Sequence, residues 1–80
     1  MKIPRDVSGE DFARALRKFG YSVTRQSGSH MRLSSNQMGR EHHVTIPAHT
    51  SLKIGTISQI LSDVANYLEM SREQLIQDLF

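Results

Sequence analysis

All four histidines of this 80-residue chain fall between residues 30 and 49, in a region rich in cations. His30 lies in the run Gly28-Ser29-His30-Met31-Arg32. An imidazole titrates near pH ~6.5, so it can give or take a proton at neutral pH. Arg32, two residues on, shares a face with His30 if the segment is extended. A guanidinium there can hold a phosphate and stabilise the charge that grows on it. Gly28 lets a backbone approach closely. Acid–base cleavage of a phosphodiester fits this set, and RNA brings its own nucleophile in the ribose 2′-OH. A turn glycine followed by a surface histidine explains the same residues without chemistry, and that reading stays open.

Three further features bear on binding. His43 alternates onto the same face as His30 and is a candidate second acid–base or phosphate group. His42 must point the other way, and with no cysteine and few nearby acids the histidines lack the three or four convergent ligands of a zinc site. Neither a metal nor a cofactor is expected. Arg25 is a weaker phosphate candidate, because strict alternation sends it inward, although a long stem near a strand end can reach out. Lys53 and Gly55-Thr56 open a helix whose free N–H groups attract phosphate. A plain helix cap and ordinary solubilising charge are the alternatives.

Charge supports an anionic partner. Residues 1–40 carry eight basic and three acidic side chains, whereas residues 41–80 carry two and five. From Arg14 to Lys53 there are seven basic residues against Glu41 alone. Such a block points to a polyanion, most simply nucleic acid. Size and composition exclude multi-domain enzymes, a membrane span and a secretory leader. Zero cysteine excludes disulfides and thiol nucleophiles, and fits a reducing cytosol. The expectation is one domain over residues 1–80.

The elements that must position these groups follow from periodicity. Ser8 with Asp11 resembles a capping box, and Phe12, Ala15, Leu16 and Phe19 share one face of a helix over residues 8–19, stopped by Gly20. Three strands follow at residues 21–26, 30–33 and 42–46, with a turn at 27–29, a polar loop at 34–40 and a stop at Pro47. Tyr21, Val23, Met31, Leu33, Val44 and Ile46 are expected to face the helices. The open face then carries Ser22, Thr24, Gln26, His30, Arg32, His43 and Thr45, without an acidic group. Thr56 with Gln59 is expected to cap a second helix running to Leu68, and Ser71 with Gln74 a short third one. The order α-β-β-β-α, plus a helix, is an α+β fold with one antiparallel sheet covered on one face.

This order, with Gly28-Ser29-His30 at the second strand, Ile46-Pro47, and Gly55-Thr56 ahead of Ile60-Leu61, resembles the HicA family. The likeness runs from about Ser8 to Leu68. It implies a double-stranded-RNA-binding-domain-like fold and a toxin of a toxin–antitoxin pair that cleaves mRNA in the cytoplasm and is neutralised by a HicB-like antitoxin. It also implies that His30 is the catalytic histidine, approached by Gly28 and Ser29. The extension at residues 69–80 departs from the shorter family pattern, so it either packs on the core or forms a partner surface. A non-catalytic RNA-binding module of the same fold is the competing reading.

Overall fold

The computed structural model describes residues 3–80. Its elements are α1 (Gly9–Leu16), β1 (Ser22–Ser27), β2 (His30–Ser35), β3 (His42–Pro47), α2 (Ile54–Leu68) and α3 (Arg72–Leu79), with a 3-10 turn at Arg17–Phe19 closing α1. The strands form one antiparallel sheet in the order β1-β2-β3. The helices cover one face of it, as in a double-stranded-RNA-binding domain.

Capping chemistry sets the start of α1. The Ser8 hydroxyl accepts the Asp11 N–H at 3.0 Å, and the Asp11 carboxylate turns to Arg14 at 2.9 Å. Phe12 and Leu16 then bury completely. Gly20 takes φ +82°, a conformation that costs glycine least, and turns the chain into β1.

The start of α2 differs from expectation. Thr56 does not cap it: the helix begins at Ile54, Lys53 is the capping residue, and no side chain closes the end. Gly55 lies inside this first turn, where the N–H groups have no helical acceptor. Thr56 and Gln59 instead line a shallow hollow against Thr45 and Pro47 of β3.

Register is set by burial. Met31 and Leu33 of β2 pair with Ile46 and Val44 of β3, and all four are buried against Phe12, Leu16, Ile57 and Leu61. Tyr21 joins them, but Val23 remains 46% exposed, contrary to expectation. The physical reason is its place on the edge strand β1, beside a groove that α1 does not fill. At the start of α1, Gly9 packs so closely on the end of β3 that an added Cβ would collide with the Pro47 carbonyl oxygen. A groove of about 270 Å³ is left open between α1 and β1, with Val23, Gln26 and Met31 on its sheet side.

The C-terminal extension packs on the core. Leu75 and Ile76 of α3 are buried, and Phe80 lies 6.0 Å from the Phe12 ring. The Arg72 guanidinium donates to the Ser58 carbonyl at 2.7 Å and to the Ser58 hydroxyl at 2.9 Å, tying α3 to α2.

Gly9→Ala should lower unfolding stability by about 1–3 kcal/mol, the cost of overpacking a tight contact. Gly55→Ala, with nothing within 4 Å of the new methyl group, should be neutral or mildly stabilising. Urea unfolding of the two variants measures the contrast.

Candidate nucleic-acid interface

The turn between β1 and β2 is built on Gly28, whose φ of +57° suits the first central position of a tight hairpin turn. Ser29 follows, and its carbonyl accepts the Ala48 N–H at 2.6 Å. His30 then opens β2 opposite Pro47. Because Met31 and Leu33 point into the core, His30 and Arg32 point out, and both are exposed. Among the described residues the imidazole hydrogen bonds belong to His42 and His43, so the His30 ring stands open to solvent.

A bulge changes the pattern of β1. Val23 pairs with Leu33, but Arg25, not Thr24, pairs with Arg32. The extra residue reverses the parity of the strand. Arg25 therefore reaches the open face beside Arg32, where strict alternation had sent it inward. Gln26 is carried to the helix side beside Met31, its direct partner, and does not belong to the open face as expected. Thr24 stays outside, its hydroxyl 3.0 Å from that of Ser34.

Arg25, Arg32, Thr24, Ser34, His43 and Glu41 line one open hollow of about 320 Å³. His43 is tied there by both ring nitrogens, with Nδ1 2.6 Å from the Ser34 hydroxyl and Nε2 2.9 Å from the Glu41 carboxylate. The open face thus includes an acid after all, because the loop before β3 returns Glu41 over it. His43 does not join His30. It pairs with Ser34, four residues further along β2 and so about 13 Å away at a strand rise of about 3.3 Å.

On the other face, His42 and its neighbours hold that loop. The Tyr21 hydroxyl lies 2.7 Å from His42 Nδ1, and the His42 ring stacks on Tyr67 at 4.6 Å. Burial raises the Tyr21 pKa well above the phenol range, reinforced by Tyr67 and Asp63. Burial likewise lowers that of His42, with Asp63 opposing and His43 and Arg40 adding. A protonated phenol donating to a neutral imidazole satisfies both shifts. Tyr67 donates to the Arg40 carbonyl at 2.6 Å and accepts the Met38 N–H at 3.0 Å, and buried Ser35 donates to the Phe19 carbonyl at 2.8 Å. Sequence reasoning placed residues 34–40 in a loop and missed this anchor; the polar residue Ser35 adjoining an apolar strand was its one trace.

Lys53 and Thr56 lie elsewhere. Lys53 lines a hollow of about 370 Å³ with Arg5, Asp6 and Ser51, and Thr56 faces β3. Neither lines the hollow of Arg25, Arg32 and His43. The segment before Lys53 is pinned to α1 where Gly9 N–H donates to the His49 carbonyl at 2.9 Å. Exposed cations therefore occupy both the sheet face and the start of α2, with His30 at the end of the central strand opposite Pro47.

Residues 9–65 match the family model described as HicA toxin of bacterial toxin–antitoxin. No curated protein and no solved structure matches the chain significantly. Among the described residues no helix is long and apolar enough to cross a membrane.

The depressed pKa of His42 gives a pH signature. Below the ordinary value of 6.5 the unfolded chain binds a proton that the folded chain resists. Stability should hold above that pH and fall as pH drops through it toward the folded value. Urea midpoints measured from pH 8 to 5 should show this loss, and His42→Gln should flatten it.

Proposed function

Because the chain belongs to the HicA toxin family of bacterial toxin–antitoxin systems, whose members are generally RNA-cleaving toxins, we propose that it is a metal-independent endoribonuclease acting on mRNA. The observation that carries this reading is the exposed His30 imidazole at the start of β2, with Arg32 at the next outward position of the strand. In the proposed reaction, His30 removes the proton of a ribose 2′-OH. The 2′-oxygen attacks the adjacent phosphorus, the bond from phosphorus to the 5′-oxygen breaks, and that oxygen takes a proton from water while the His30 imidazolium returns its own to solvent. The products are a 2′,3′-cyclic phosphate and a 5′-hydroxyl.

Arg32 stabilises the charge on the phosphorane-like transition state. The turn at Gly28 and Ser29 lets the RNA backbone close on His30. Arg25, His43, Lys53 and Thr56 hold flanking phosphates. RNA arriving as a single strand suits an open sheet face better than a duplex does. The working unit is one domain over residues 1–80, and a HicB-like antitoxin neutralises it in the cytoplasm.

RNA binding without cleavage is the second reading. It is favoured by the lack of any described side chain that orients the His30 ring. Apo sites often tighten only around substrate, so this geometry does not outweigh the family relationship.

Cleavage of a labelled RNA in EDTA separates the two, because only the nuclease shortens it. His30→Ala should lower the cleavage rate by about 10²–10⁴-fold, the usual weight of a general acid–base group, with RNA affinity little changed. The new ends should be 2′,3′-cyclic phosphates. Full activity in His30→Ala, or 3′-hydroxyl ends alone, contradicts the proposal.

A further inference from the structure

Arg25 and Arg32 are direct cross-strand partners, both exposed on the same face. Like charges so placed destabilise a sheet. Among the described residues the ion pairs are Arg14 with Asp11 and His43 with Glu41, so neither Arg25 nor Arg32 has a carboxylate within 4.0 Å. The juxtaposition depends on the bulge, without which Thr24 and not Arg25 would meet Arg32. Bulges commonly re-aim a side chain beside a functional site.

The surroundings of the pair are hydroxyls and an imidazole, from Thr24, Ser34 and His43. Two guanidinium forks lining one hollow match the oxygens of a phosphate, while the Ser34 hydroxyl, 2.6 Å from His43 Nδ1, and the Thr24 hydroxyl, 3.0 Å from that of Ser34, hold the imidazole beside them. Arg32 is the outward residue next to His30 on β2, about 7 Å along the strand. Glu41, the one carboxylate in the hollow, accepts from His43 Nε2, the proton that an incoming phosphate would otherwise take.

We propose that this hollow is a second phosphate subsite, in which Arg25 holds the RNA phosphate neighbouring the scissile one and Arg32 bridges the two phosphates, and that Glu41 occupies its imidazole donor in the free protein. The proposal rests on the ribonuclease reading for the identity of its ligand. It adds which phosphate is held, the roles of Thr24 and Ser34, and an internal carboxylate that the phosphate must displace.

The test is fluorescence anisotropy with a single-stranded 2′-O-methyl oligonucleotide, which lacks the 2′-OH nucleophile and so reports binding alone. Arg25→Thr/Arg32→Thr should weaken binding about ten-fold or more at low salt. It should also make the slope of log K against log salt shallower by about 0.7, the value of one single-strand phosphate contact. Glu41→Gln should tighten binding about two- to five-fold, the size of an exposed charge pair. Thermal melting checks that each variant folds, and Glu41→Gln supplies an independent reading should the double variant not fold.

Unchanged affinity and slope in the arginine variant overturn the subsite, as does weaker binding by Glu41→Gln. If the wild-type protein still cleaves RNA in that case, the nuclease reading survives without the subsite. If the binding results hold but His30→Ala still cleaves, the subsite survives and the catalytic assignment falls. Inorganic phosphate binding as tightly as the oligonucleotide would mark a site for a small anion and also overturn the proposal.

Discussion

The parity of β2 is the constraint on which the candidate site depends. Met31 and Leu33 must enter the core, since they meet Ile46 and Val44 beneath the helices. In a pleated strand that decision also sends His30, Arg32 and Ser34 outward. A slip of one residue would bury the imidazole and a guanidinium and expose two core side chains. The hydrophobic effect thus orients the chemistry without contributing any group to it. The bond from Ala48 N–H to the Ser29 carbonyl and the close contact of Gly9 with Pro47 fix the end of the sheet where His30 stands.

A second layer of polar contacts holds the opposite end. Buried Tyr21 and Tyr67 hold the half-buried His42 under β3, one by a hydrogen bond and the other by stacking, and Ser35 ties the loop between β2 and β3 back to the end of α1. Among the described residues every buried side-chain nitrogen and oxygen has a partner. This matters on the open face, because the same loop delivers Glu41 to His43. Adjacent histidines thus do different work, His42 as an anchor beneath the sheet and His43 as part of the solvent-facing hollow.

Much of this was legible from residue order. The helical face of Phe12 and Leu16, the stop at Gly20, the alternation of Met31 with Arg32 and the break at Pro47 each report a local rule, and the structure follows them. The bulge was not legible, since Thr24 and Arg25 carry no mark that distinguishes an extra residue from a regular one. Its effect was large, because one inserted residue exchanges the faces of Arg25 and Gln26. Nothing in the local sequence marks Gly9, because its contact with Pro47 involves segments far apart in sequence. The Thr56 cap was misread because Gly55 seemed to end the preceding loop, whereas the helix runs through it. For the C-terminal extension, Ser71 with Gln74 marks the start of a helix, but only the fold shows Leu75 and Ile76 packed inward.

The central claim is that the His30 imidazole, standing free of the core, carries out the cleavage. Carbethoxylation with diethyl pyrocarbonate, mapped residue by residue by mass spectrometry against RNA-cleaving activity, tests it most directly. Loss of activity in step with modification of His30, slowed by bound RNA, is the result this account predicts. Complete modification of His30 with cleavage undiminished would contradict it.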